Sequence, residues 1–251
     1  MAKKRTGGGF KEVIKTIIYA VLIALGIRTF LYEPFNIPSG SMMPTLLEGD
    51  YLFVSKFSYG YSRYTIAFGL PLFDGRILGS EPERGDVVVF MLPSDPSLDY
   101  IKRVIGLPGD RIQMVDGILH INGEPVEREL VGEMSTRTDF GARQFGAIYV
   151  ETLPNGRRHY IREISDNGHW DDTEVYEVPP GHYFMMGDNR DSSEDSRVIR
   201  DNGDRPVGYV PLENIVGRAE ILWFSIDGGS FWDIWRWPTD IRWDRLFMTI
   251  E

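Results

Sequence analysis

Residues 13–32 are almost wholly apolar, and residues 17–27 carry no charged side chain. About 20 helical residues cross a bilayer core, so this stretch predicts a transmembrane helix over 13–32. Whatever follows must then fold as a body tethered at a membrane. Lys3, Lys4, Arg5, Lys11 and Lys15 stand against Glu12 alone in residues 1–15. By the positive-inside rule, residues 1–12 stay cytoplasmic and the body is translocated to the periplasmic or outer side. Lys15 and Arg28 can snorkel to the interface. The alternative is a cleaved secretory signal, with Ala24, Leu25 and Gly26 as a small-x-small site. Ile27, Phe30 and Leu31 instead carry the apolar pattern on to Pro34, which favours a retained anchor.

The rest of the chain reads as globular. With 42% hydrophobic and 25% charged residues among 251, it is neither a mainly disordered chain nor a polytopic membrane protein. Net charge is −10, and outside the basic start the body is more acidic still. Nucleic acid is therefore a poor partner, because phosphate binding needs a basic face. The lack of cysteine excludes thiol catalysis, zinc–cysteine sites and disulfides. The four histidines, His120, His159, His169 and His182, have no metal-ligand spacing, so neither a metal nor a cofactor is expected.

Beyond Pro34, strands and turns dominate. Residues 87–91 form a continuous apolar run suited to a strand buried on both faces. Residues 111–115 and 118–121 flank Asp116–Gly117, a two-residue hairpin signal. Further strands are expected at 51–56, 99–105, 159–164, 175–178, 183–186 and 218–225. The fold class is therefore mainly β, an antiparallel sheet system closing into a barrel or sandwich. Residues 33–115 and 181–251 form its main domain. The more polar residues 116–180 form a β-rich insertion or ribbon.

Three segments carry the chemistry. Residues 37–45 read IPSGSMMPT: prolines stiffen both ends and Gly40 frees the middle, so a tight turn can present a hydroxyl. A plain linker leaving the membrane is the bland alternative. Lys102 stands in the apolar strand YIKRVIG, where period two puts Tyr100, Lys102 and Val104 on one face. A buried lysine loses several units from its usual pKa of about 10.4 and becomes a general base near neutrality. An exposed lysine on a strand face would be inert. Arg103 takes the opposite face, in a structural or solvent role. Residues 187–197 read GDNRDSSEDSR, a solvated turn or a loop fixed by side-chain-to-backbone bonds, with Asp195 and Arg197 able to pair.

PSGSMMPT, GDYLFVSK, RGDVVVF with YIKRVIGLPGD, and GDNRDSSEDSR follow an N-terminal span in that order. Together they resemble the type I signal peptidases of bacteria. The resemblance implies a membrane-anchored serine endopeptidase of the bacterial inner membrane, its catalytic domain periplasmic, removing signal peptides from preproteins after small-x-small sites. By motif, Ser41 matches the nucleophile and Lys102 the general base. Ser39 matches the hydroxyl that joins the Ser41 amide in the oxyanion hole. Ser193 matches the serine that orients the lysine, while Asp195 and Arg197 match a supporting pair. Ile37, Pro38, Tyr100 and Ile101 would contact the substrate, with Met185 and Met186 as further wall candidates. An extended substrate would add a strand beside Ile37 or residues 99–101. Preproteins, phospholipid and the secretion translocon are the implied partners. Many members have two spans and some a disulfide, whereas this chain has one span and no cysteine.

Two rivals share some of these features. Self-cleaving Ser/Lys repressors are soluble and carry a DNA-binding region, unlike this acidic, tethered chain. A membrane-anchored β-rich binding module would keep Ser41 and Lys102 inert. Trp232, Trp235, Trp237 and Trp243 suit either a membrane interface or packing on the β core. Ser41 lies nine residues beyond Tyr32 and so within about 30 Å of the span.

Overall fold

The apolar N-terminal stretch becomes helix α1, Gly9–Phe30, and its residues 10–30 are long and apolar enough to cross a membrane and unburied against the protein. In the computed structural model the described residues are 9–65, 75–137, 142–165, 167–199, 203, 205–228, 232 and 234–250. Lys3, Lys4 and Arg5 lie outside them. The helix stops short of the expected Tyr32. Leu31 is a turn, and Tyr32 opens strand β1, Tyr32–Asn36. Pro34 disfavours further helix, and pairing of Tyr32 opposite Ser55 captures the chain as strand. The junction is tied down: the Lys56 amide donates to Leu31 O at 2.9 Å, and Glu33 bridges Arg28 at 2.8 Å and Lys56 at 2.7 Å.

The main sheet is antiparallel and also contains β2 (Asp50–Ser55), β3 (Val87–Leu92) and β4 (Asp95–Gly106). The strands β5 (Arg111–Val115), β6 (Ile118–Ile121), β7 (Glu124–Pro125), β8 (Glu127–Arg137), β9 (Arg143–Thr152), β10 (Arg158–Glu163) and β11 (Tyr176–Glu177) follow. The chain then returns with β12 (His182–Met186), β13 (Val210–Pro211) and β14 (Ile215–Ser225), and ends beyond the short helix α2 (Trp237–Asp240). The main sheet runs β1-β2-β14-β3-β4-β12-β13, a second sheet runs β11-β5-β6-β7 and a third β10-β9-β8.

The apolar run of β3 packs on both faces, as its lack of alternation requires. Val87 and Val89 join Leu52, Val54 and Leu222 in one core, with Met42 and Leu46 laid over them. Val88 and Phe90 join Val104, Tyr183 and Met185 in another. The hairpin between β5 and β6 turns through Asp116 and Gly117, both at positive φ (49° and 70°), the geometry of a type I′ turn. Strands β8 and β9 lie within the expected β-rich insertion or ribbon of 116–180, although the sequence reading assigns neither strand its bounds. They are held by a ladder from Glu127–Thr152 to Arg137–Arg143 and leave Leu130 and Phe145 about 60% exposed. None of their described side chains joins an apolar core, so no hydrophobic alternation marks them.

Ile105, Phe184 and Met186 of the main sheet share a core with Ile112, Leu119 and Tyr176 of the second. Gly106 sits at that contact. A Cβ there would meet Phe184 Cβ at 2.8 Å, Ile112 Cγ1 at 2.9 Å and Val178 Cγ2 at 3.0 Å. Gly106→Ala is expected to lower stability by about 1–3 kcal/mol through overpacking. Urea unfolding of the full chain in detergent measures it, and an unchanged midpoint would show that the two sheets yield freely.

Candidate active site

Residues 37–46 are laid across the main sheet by apolar anchors: Ile37, Met42 and Leu46 are all buried. Between them Ser39 is extended (φ −138°, ψ 154°) and Gly40–Met42 form one turn of 3-10 helix. Gly40 is not among the residues at positive φ. What it supplies is room, since a Cβ would come within 3.0 Å of Met43 Cε. Pinned in this way, Ser41 projects its hydroxyl toward β4.

Lys102 meets it there. Its Nζ donates to Ser41 Oγ at 2.6 Å, lies 5.5 Å from the Tyr100 ring centroid, and the residue is only 3% exposed. Burial pushes the ammonium down from 10.5 to about 8, against the opposing pull of Asp195 and Asp188. A lysine in this state gives up its proton near neutrality.

The loop after β12 supports this pair from behind. The Asn189 amide donates to Ser41 O at 3.1 Å and its Nδ2 to Gly40 O at 2.9 Å. Asp195 accepts from the Gly187 amide at 2.9 Å and from Arg197 Nε and Nη2 at 3.0 and 2.9 Å. Ser193 Oγ is buried without a hydrogen-bond partner; the lysine donates to Ser41 and not to it. A Cβ on Gly187 would meet Ser193 Oγ at 2.2 Å and Ser41 O at 2.5 Å, so this glycine is where the loop and the serine turn touch.

Ile37, Pro38, Ser39, Ser41, Tyr100, Ile101 and Lys102 line one cleft of about 1600 Å³. Ser193, Asp195 and Arg197 stand behind it, all buried. Met185 and Met186 do not reach the cleft: each is enclosed in a different core, because adjacent strand residues point to opposite faces. Arg103 has no solvent role. It is 1% exposed, donates Nε and Nη2 to Asp188 at 2.9 and 2.8 Å, and Nη1 to Gly85 O at 2.7 Å.

Sequence reasoning passed over several of these groups. Asp188 also accepts from Thr45 Oγ1 at 2.5 Å, which ties the serine segment to β4. Burial alone would raise its carboxyl, but Arg103 outweighs that and holds it below its ordinary value. Glu151 of β9 grips Arg190 at 3.0 and 2.6 Å and lies 3.3 Å from His159 Nε2. Gly187, Asp188, Asn189 and Arg190 all fall inside or beside the GDNRDSSEDSR block, so that motif was the available signal; its polarity could not say which groups point inward. Away from the cleft, Glu163, Asp171 and Asp191 each bring a carboxylate oxygen within 4.8 Å of the others, with Arg128 3.6 Å from Glu163. Burial pushes the Glu163 carboxyl up to about 7.

The family model described as signal peptidase, peptidase S26, matches residues 10–224. The signal peptidase I of Rickettsia conorii is 40% identical, with 99% of this chain and 96% of the relative aligned. That of Rickettsia typhi is 41% identical over 98% and 96%. A solved signal peptidase I from Enterococcus faecalis is 25% identical, covering 55% of this chain and 97% of its own, with a TM-score of 0.33. With the family model spanning most of its length and relatives at this identity end to end, the chain belongs to the signal peptidase I family of S26 serine endopeptidases, which cleave signal peptides from preproteins.

Proposed function

We propose that Ser41 is the nucleophile and Lys102 the general base of a dyad that cuts preproteins after small-x-small sites. The observation that carries this is the 2.6 Å contact from a buried lysine amine to the serine hydroxyl. As Ser41 Oγ attacks the scissile carbonyl, the neutral amine takes its proton and later returns it to the leaving amine. Ser39, at the cleft wall, and the Ser41 amide stabilise the developing oxyanion. Ser193 orients the lysine by turning its buried hydroxyl toward the amine, and the Asp195–Arg197 pair keeps the loop in place.

The substrate lies extended in the cleft. Strand β12 pairs with β4 only from Arg103 onward, so residues 99–102 have β3 on one side and the cleft on the other. Ile37, Pro38, Tyr100 and Ile101 then form shallow pockets for the small residues before the cut. Residues 33–115 and 181–251 constitute the catalytic domain and 116–180 its insertion. Helix α1 spans the bacterial inner membrane with the N-terminus cytoplasmic and the body periplasmic. Phospholipid is a partner through the exposed Trp232, Trp235 and Trp243, and the translocon delivers the preprotein.

The test of this reading incubates the full chain in lipid with preproteins carrying Ala or a bulky residue three positions before the cut, and sequences the new N-terminus. Cleavage confined to the Ala substrate is expected, because a close-packed wall leaves no room for added volume; equal cleavage of both would refute the pockets.

Ser41→Ala, Lys102→Ala and Lys102→Arg should each lose nearly all turnover, since members of a dyad act as a unit and guanidinium stays charged. An active arginine variant would reduce the lysine to a positive charge.

With the Lys102 ammonium lowered to about 8, the reactive neutral amine is the minor form below that pH and the major form above it. The kcat/KM profile should therefore rise with pH through a midpoint near 8 on its acidic limb. A flat profile from pH 6 to 9 would contradict the general-base role.

A further inference from the structure

The cleft extends beyond Ser41 to a wall supplied by β8, β9 and β10, where Thr136, Gln144 and Arg162 line it. Arg162 is only 1% exposed. Its hydrogen bonds go from Nη2 to neutral acceptors, Thr136 Oγ1 at 3.0 Å and Gln144 O at 3.2 Å, and Nε is buried without a partner. That nitrogen is tucked against Gly146, where a Cβ would come within 2.7 Å of it. The other buried arginines of the site are matched: Arg103 by Asp188, Arg190 by Glu151 and Arg197 by Asp195. Among the described residues Arg162 has no carboxylate within ion-pair distance. Asp191 influences it from further away, but its Oδ2 already accepts the Ile164 and Ser165 amides at 2.6 and 3.0 Å. A desolvated, unmatched guanidinium is costly, and it gains most from a carboxylate brought to it.

We infer that Arg162 receives an acidic side chain of the substrate from the segment just after the cut, making the β8–β10 sheet the wall that reads the mature end of the preprotein. This rests on the reading that the cleft cuts preproteins. The direction follows from connectivity. Residues 37–39 and 99–101, which line the cleft with Ser41, are the wall the proposed function gives to the residues before the cut. On the other side the Asn189 amide holds Ser41 O, and Asn189 bridges in parallel to Arg162. Two strand spacings make roughly 10 Å, and an extended peptide rises about 3.3 Å per residue. The matching substrate position is therefore two to four residues past the cut. In a protein of net charge −10, a local cation is needed for an acidic segment to be favoured there at all.

The experiment uses full-length enzyme in lipid and preproteins differing only at positions two, three and four after the cut, with Glu, Gln or Lys placed at one position at a time. Glu over Gln should raise kcat/KM by about ten-fold or more at one of these positions, chiefly through KM, as for a charge-assisted hydrogen bond. Arg162→Gln should bring that ratio close to one, and Arg162→Lys should retain part of it. Arg158→Gln, an exposed residue of the same strand, should keep the wild-type ratio. A wild-type ratio near one at all three positions overturns the inference, whatever the folding of the variants. So does an unchanged ratio in folded Arg162→Gln. If no preprotein is cut at all, the proposed function itself fails, and the inference falls with it.

Discussion

An amine held in an apolar setting beside a hydroxyl is the constraint around which the body of this protein is arranged. Lys102 is 3% exposed, and burial lowers the pKa of its ammonium. That condition demands a sheet packed on both faces, which the unbroken apolar run of β3 and the opposing cores provide. It also demands that the hydroxyl partner be brought to the lysine by an element that cannot drift. Ile37 before the turn, Met42 within it and Leu46 after it, all buried, do this by ordinary apolar burial, each contributing roughly 1.5–3 kcal/mol relative to exposure. Packing and the serine–lysine contact therefore depend on the same few side chains.

Behind the cleft stand three buried ion pairs, Arg103–Asp188, Arg190–Glu151 and Arg197–Asp195. Such pairs add little net stability over apolar replacements, yet removing one partner leaves a stranded charge at a cost of about 3–5 kcal/mol. Their value is geometric. Each joins segments that packing alone would leave free to slide: β4 to the loop after β12, β9 to the same loop, and the loop to itself. Asp188 has a further link to Thr45, so the serine segment, the lysine strand and the loop are fastened through one carboxylate. Gly187 completes the arrangement by the absence of a side chain.

The helix and the tail meet the same body at its edges. Glu33 couples Arg28 of the helix to Lys56 of the sheet. Near the other terminus Arg245 donates to Thr45 O at 2.9 Å and to Asp50 at 2.6 Å. The tail is thus anchored by arginines on the segment that follows Ser41, while Trp232, Trp235 and Trp243 remain largely exposed. This division of labour leaves the aromatic rings available at the surface without loosening the site.

Much of this was legible in the residues. The apolar N-terminal stretch, the two-sided run of β3, the Asp116–Gly117 hairpin, the stiff serine turn and the lysine in an apolar strand are local patterns, and local patterns follow from side-chain period and backbone freedom. A ribbon was legible at 116–180 but the bounds of β8 and β9 were not, because a ribbon held by its own ladder packs no apolar side chain into a core to imprint a period. The inward direction of Arg103 was likewise hidden, since charge argues for water until a partner such as Asp188 comes within reach from 85 residues away. A membrane tether, a mainly antiparallel body and the residue types brought to the cleft all follow from local pattern in the chain. That the amine is buried, that the hydroxyl lies 2.6 Å from it and which charges are paired are set by the folded chain, because desolvation and distance belong to contacts between segments far apart in sequence.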